Sequence, residues 1–272
     1  MITAPYYQLS RGRIPAVGLG LWQVKDKETF NLSIKSALDS GYTHFDTAQA
    51  YGNESMLGDT IQELNVKRDN LFITTKVSVT NLCKSRTTSS IDKSLKDLKT
   101  DYVDLLLIHF PVTFLRRSAW RVLEDTYENG KARDIGVSNY TIRHLEEMKK
   151  YTSIRPSVNQ VELHVFLQQP ELVDYCKKEG IIIEAYSPIA HGKNMDDPTI
   201  LSVAKKYNKS YVQIMLKWCL QKGLVIIPKS VTPDRIRQNI ELFDFELDND
   251  DMIKISKLDS NMRTCWSPVN IP

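Results

Sequence analysis

The chain has 272 residues, 42% hydrophobic and 25% charged, with a formal net charge of +3. That length suits one α/β domain better than two, and the composition is that of an ordinary globular protein. Lys and Arg are scattered, so no strong field for nucleic acid or an anionic membrane is expected. The N-terminus opens with a hairpin signal, Tyr6–Leu9 and Ile14–Val17 around a turn from Ser10 to Arg13. Short apolar runs then recur as candidate strands at Val17–Leu19, Thr43–Phe45, Leu71–Thr75, Val103–Ile108, Asp134–Val137, Ser157–Gln160, Ile181–Glu184 and Val225–Ile227. Amphipathic stretches separate them at Lys27–Ser40, Glu54–Leu64, Arg86–Leu98, Ser118–Asn129, Thr141–Lys149, Pro170–Glu179, Pro198–Tyr207 with Tyr211–Gln221, and Pro233–Ile240.

Alternating strand and helix units favour a parallel sheet. Eight units average about 34 residues each, enough for a βαβ-type repeat. No Pro/Gly/Ser linker and no low-complexity tract interrupts them. The expectation is a single domain over residues 1–272, an α/β (β/α)8 TIM barrel with an N-terminal β-hairpin cap.

Cys83, Cys176, Cys219 and Cys265 have no CxxC spacing, which fits reduced thiols. The first 13 residues lack an apolar core of the secretory type, and no apolar run approaches a membrane span. A cytoplasmic protein is expected. The five histidines show no metal-ligand spacing, so no metal is expected. No GxGxxG follows a strand, which argues against a Rossmann site.

The chemistry-bearing residues stand at strand ends. Asp46 and Tyr51 follow one apolar run, Lys76 the next, and His109 the third. In a closed parallel barrel those ends share one face, where chemistry collects. An acid, a phenol, an amine and an imidazole are thereby assembled, a set able to transfer a proton.

At these positions the chain resembles an aldo-keto reductase over nearly all of its length. The block from Gly41 to Gly58, with Asp46, Tyr51, Asn53 and Glu54, is similar to that family's first signature. Tyr102 to Pro111 resembles the second, and Ile227 to Asn239 the third. Gly130–Asn139 and Glu184–Pro188 match as well. Five motifs in order on an eightfold rhythm are specific. Phe110 departs from the Trp that many relatives carry after the His. The segments Phe110–Arg117 and Ala185–Asp197 and the tail after Asp259 are short, as in compact members resembling the diketo-gluconate reductases and the trypanosomatid prostaglandin F synthases.

The resemblance implies NADPH-dependent reduction of aldehydes and ketones, small carbonyls, α-dicarbonyls or keto-sugars, by a monomer. It implies a catalytic tetrad of Asp46, Tyr51, Lys76 and His109. The Lys76 ammonium would lower the Tyr51 pKa, Asp46 would hold Lys76, and His109 would orient the carbonyl. Ser138, Asn139 and Gln160 would clamp the nicotinamide carboxamide, Tyr186 would stack on its ring, and Gly20, Leu21, Ser187 and Val231 would line the cofactor. Trp22 and Phe110, with His109, would wall the substrate pocket, and Trp266 in the tail is a further candidate.

Lys229 and Ser230 follow strand eight, and Thr232-Pro233 reads as a helix start with Arg235 in its first turn. A basic pair there suits an anion. Lys229, Ser230 and Arg235 would take the 2′-phosphate, and Gln238 and Asn239 the adenine. Two other readings stay open. One is a non-enzymatic member of the same fold. The other is a barrel hydrolase with paired carboxylates, for which Glu184 is the candidate second acid beside Asp46.

Overall fold

A computed structural model describes residues 5–272. The strands are β1 (Tyr6–Gln8), β2 (Arg13–Pro15), β3 (Leu19–Gly20), β4 (His44–Asp46), β5 (Phe72–Val77), β6 (Val103–Ile108), β7 (Ala132–Ser138), β8 (Val158–Glu162), β9 (Ile182–Tyr186) and β10 (Val225–Ile227). The helices are α1 (Lys27–Asp39), α2 (Glu54–Glu63), α3 (Lys84–Asp97), α4 (Arg116–Glu128), α5 (Ile142–Met148), α6 (Pro170–Glu179), α7 (Pro198–Tyr207), α8 (Tyr211–Gln221), α9 (Pro233–Gln238) and α10 (Asn249–Ser256).

β3 to β10 form one eight-stranded parallel sheet in sequential order. It closes on itself. Gly18 N–H donates to the Ile226 carbonyl at 2.8 Å, Ile226 N–H donates to the Ala16 carbonyl at 2.9 Å, and Val17 bridges Ile226 in parallel. The expected barrel is therefore present. β5 and β6 are buried along their whole length, as strands covered on both faces must be.

β1 and β2 pair antiparallel and cap the barrel floor. Leu9 and Ile14 pack with Phe72, Leu105, Leu107, Val158 and Val225, an apolar layer centred on the N-terminal ends of the strands. Asp134 on β7 accepts from the backbone N–H of Ser10 and of Arg11, each at 3.1 Å, tying the hairpin turn down. The second hairpin strand ends at Pro15, two residues before the expected end, because the chain from Ala16 onward turns to pair with β10.

Local sequence sets the helix ends. Asp26, Asp197 and Ser210 accept from backbone N–H groups in the first turns of α1, α7 and α8. Pro170, Pro198 and Pro233 stand at the first helical positions of α6, α7 and α9. α10 was not expected. Asp248 caps it by accepting from Asp251 N–H at 2.9 Å, and the run of acidic residues there obscures the apolar period. No helix among the described residues is long and apolar enough to cross a membrane.

Because strand side chains alternate, every second residue of a barrel strand points inward. Above the apolar floor lies a polar layer of His44, Thr74, Gln160 and Glu184. Above that lie Asp46 and Lys76 at the C-terminal ends of their strands.

Candidate active site

Lys76 is fully buried at the end of β5. Its Nζ donates to Asp46 Oδ1 at 2.6 Å, to the Thr47 carbonyl at 3.0 Å and to the Tyr51 hydroxyl at 3.2 Å. An ammonium has three N–H donors, and all three are used. Burial by itself favours the neutral amine, but the Asp46 carboxylate, Tyr51 and their hydrogen bonds outweigh it and raise the Lys76 pKa. The site therefore holds a fixed positive charge.

Tyr51 lies in a single 3-10 turn, Gln49–Tyr51, that ends at Gly52 with φ 68°. Such a φ favours glycine and lets the chain turn directly into α2. The adjoining loop is pinned by Asn53, whose Nδ2 donates to the Leu21 and Val24 carbonyls at 2.9 and 3.2 Å and whose Oδ1 accepts from Thr47 at 2.6 Å. The Tyr51 ring meets His109 edge-on, with centroids 5.7 Å apart.

Burial pushes the Tyr51 phenol above its ordinary pKa, and the Lys76 charge only partly opposes it. The expected lowering by Lys76 is present, but desolvation of the phenolate outweighs an ammonium that is itself shared with Asp46, so the net shift is upward. Tyr51 is thus a phenol at neutral pH. Its oxygen accepts from Lys76, which leaves its own hydrogen free to be donated.

His109 follows β6. Burial, with the Lys76 charge second, holds its pKa down to about 3, so the imidazole is neutral. Its side chain makes no hydrogen bond to any described residue. A neutral imidazole with an open N–H is suited to meet a carbonyl oxygen.

Two further strand ends extend the rim. Asn139 after β7 has φ 64° and Ser187 after β9 has φ 49°, a region that non-glycine residues rarely occupy. Asn139 Nδ2 donates to the His109 carbonyl at 3.2 Å and to Ser138 Oγ at 3.1 Å, while its Oδ1 accepts from the Tyr186 hydroxyl at 2.8 Å. Ser138 Oγ donates to the Gln160 carbonyl at 2.9 Å. Ser138, Asn139 and Tyr186 are therefore brought together as one network.

Gln160 spends its amide nitrogen inside the barrel, and its Oε1 has no partner among the described residues. Its Nε2 donates to Asp46 Oδ2 and to Glu184 Oε2, each at 2.7 Å, so both N–H groups face inward to carboxylates. The paired-carboxylate arrangement also exists, but Glu184 is fully buried beneath this amide, with no access for the water that hydrolysis requires.

Gly20 and Leu21 adjoin the end of β10. Gly20 N–H donates to the Pro228 carbonyl at 3.1 Å, and a Cβ on Gly20 would come within 3.0 Å of the Ile227 carbonyl oxygen and 3.7 Å of Lys229. Lys229, Arg235 and Gln238 are exposed, Ser230 and Val231 are half-buried, and Asn239 is buried. Neither Lys229 nor Arg235 has an ion-pair partner among the described residues, whereas neighbouring Arg237 pairs with Asp234 and Glu241. Two unpaired cations beside a close backbone approach fit a bound phosphate group.

Trp22 is 43% exposed and meets His191 edge-on, with centroids 5.7 Å apart. Phe110 is half-buried next to His109. Trp266 is 85% exposed and has no ring partner among the described residues, so the structure does not bring it into the pocket wall. The tail is instead fixed by Glu162, which accepts from Thr264 N–H and Oγ1 at 2.6 Å each and from Cys265 N–H at 3.2 Å. Burial alone would raise that carboxyl, but bonds from His164, Thr264 and Cys265 hold it at about 2. The Glu162 anchor carried no local sequence signal.

The family model of the aldo/keto reductase family matches residues 16–260. The chain belongs to that family. It is 44% identical to the glyoxal reductase of Bacillus subtilis over 94% of this chain and 92% of the relative. It is 42% identical to a methylglyoxal reductase of Yersinia pestis over 97% and 96%. The crystal structure of a Bombyx mori aldo-keto reductase in complex with NADP superposes with a TM-score of 0.92 at 34% identity, covering 98% of this chain and 96% of that one. This aldo-keto reductase is an oxidoreductase of carbonyl and alcohol groups, and its cofactor is NADPH.

Proposed function

We propose that this aldo-keto reductase reduces small aldehydes, and α-dicarbonyls in particular, with Tyr51 as proton donor. The observation that carries the reading is the Lys76 triple contact, which turns the Tyr51 oxygen toward the ammonium and its hydrogen away from it.

Bound NADPH supplies the hydride. The residues of the chain do the rest. His109, neutral and unbonded, donates to the substrate carbonyl oxygen and orients it. Tyr51 gives its proton to the oxygen as negative charge develops there. The phenolate left behind faces Lys76, whose charge is already in place and needs no reorganisation. Asp46 keeps that charge in position. Trp22 and Phe110 flank the substrate.

Lys229, Ser230 and Arg235 hold the 2′-phosphate, and Gln238 and Asn239 contact the adenine. Gly20, Leu21 and Val231 line the cofactor. Ser138, Asn139 and Gln160 hold the nicotinamide carboxamide, Tyr186 stacks on its ring, and Ser187 lines the cofactor. A single domain acting as a monomer in the cytoplasm completes the proposal.

The dicarbonyl preference rests on the short Phe110–Leu115 loop and on the two relatives named for glyoxal and methylglyoxal reduction. It is tested by NADPH oxidation with a panel of glyoxal, methylglyoxal, simple aldehydes, keto-sugars and quinones. The dicarbonyls should give the highest kcat/KM. Higher kcat/KM for keto-sugars or quinones would replace the substrate class, and no turnover of any carbonyl would favour a non-catalytic member of the family.

A further inference from the structure

Glu184 is a buried acid that neither the substrate nor the cofactor reaches in the reading above. It lies on β9 in the polar layer and is fully inaccessible. Its Oε2 accepts from Gln160 Nε2 at 2.7 Å, and the other N–H of the same amide goes to Asp46. Its Oε1 has no hydrogen-bond partner. His44 Nε2 lies 3.5 Å from Oε1, and that nitrogen is 3.1 Å from Thr74 Oγ1.

We propose that Glu184 is a positioning residue for the catalytic chain: as a neutral carboxylic acid it anchors the Gln160 amide that clamps Asp46, and through Asp46 it fixes Lys76 and Tyr51. This rests on the reductase reading of the site.

Counting donors supports the neutral form. A buried carboxylate needs several donors, and an unpaired one is prohibitively costly. Glu184 is offered one amide hydrogen. The three hydrogens of Lys76 are spent on Asp46, Thr47 and Tyr51. His44 is held neutral, its pKa lowered to about 3 by burial, so it is no counter-ion.

Two carboxyls bridged by one amide cannot both ionise beside a single ammonium without leaving a buried net charge. Lys76 is bonded directly to Asp46, so Asp46 keeps the charge and Glu184 keeps the proton. Burial and the Asp46 charge accordingly push Glu184 up to about 8. The cluster is then one cation and one anion, and Gln160 is locked between an ionised acid and a neutral one.

The groups that face Glu184 are His44 and Asp46 on β4, Lys76 on β5, Gln160 on β8 and, more distantly, Tyr51. An ionised Glu184 would raise the Tyr51 pKa, whereas a neutral one leaves it alone.

Two variants and one spectrum test this. Glu184→Leu removes the anchor, and kcat should fall by about tenfold or more, with NADPH affinity retained. Glu184→Gln offers the same C=O acceptor and an N–H donor, and should recover most of the lost kcat at pH 7, where Glu184 itself carries its proton. A Leu variant equal to wild type, or a Gln variant as impaired as the Leu one, would overturn the proposal. Infrared difference spectra of native enzyme against Glu184→Gln at pH 7 read the acid directly and need no turnover. The C=O stretch of a protonated carboxyl is expected, and its absence refutes the neutral acid. Because the spectrum does not depend on activity, failure of the reductase reading and failure of this one are separable.

Discussion

The interior of the barrel and the rim after β10 treat charge in opposite ways. Inside, Asp46, Lys76, Gln160 and Glu184 are almost wholly hidden and bonded mainly to one another. At the rim, Lys229 and Arg235 are exposed and have no ion-pair partners among the described residues. A buried charge must be matched within the fold, because water cannot reach it. An exposed one can wait for its ligand at little cost. The interior is thus arranged for chemistry, where preorganised charge has most effect, and the rim for capture.

The sharpest way to break this contrast is at the hydrogen that the interior presents to the mouth. Tyr51→Phe keeps the ring against His109 and removes the proton. kcat should fall by about 10²–10⁴-fold, the usual contribution of a general acid. NADPH affinity, measured by fluorescence titration, should barely change. Activity within twofold of wild type would remove Tyr51 from the mechanism.

A smaller effect is expected at the rim. Arg235→Ala deletes one of two unpaired cations. Loss of a hydrogen bond to a charged group corresponds to about 1.5–3 kcal/mol, so the Kd for NADPH should rise about tenfold to a hundredfold. NADH binding should hardly respond, because the 2′-phosphate is absent there. Equal losses for both cofactors would show that Arg235 does not read the phosphate.

The mildest test concerns stability. Burial and the Asp46 charge hold the Glu184 pKa up at about 8 in the folded chain, against about 4.5 for an ordinary carboxyl. Between those values the folded state holds a proton that the unfolded chain has lost, so stability falls as pH rises, by at most about 1.4 kcal/mol per pH unit. His44 and His109, neutral down to about pH 3 when folded, act in the opposite sense below about pH 6.5. The window from pH 6.5 to 8 is therefore the clean one. Denaturant titrations there should show native stability declining relative to Glu184→Gln. Parallel curves would mean that Glu184 does not carry the proton.

Much of the fold is written locally. Buried runs such as Val103–Ile108, helix starts such as Pro170 and Pro198, and the spacing of eight strand–helix units need only neighbouring residues to be read. The candidate site is legible for the same reason, since Asp46, Lys76 and His109 each stand just at or beyond such a run, and a barrel gathers those ends. α10 is not legible in the sequence, because its acidic start resembles a loop until Asp248 caps it in the fold.

What tertiary structure alone decided are the pairings between residues far apart in sequence. Gln160 reaches Asp46 across 114 residues of sequence, and Glu162 holds Thr264 across 102. The exposure of Trp266 and the net upward shift of the Tyr51 pKa belong to the same class. Periodicity reports which face of a strand is buried. It does not report which polar side chains meet once the sheet closes. Desolvation and donor counting, which set the charge of every group in the interior, begin only when that closure removes the water.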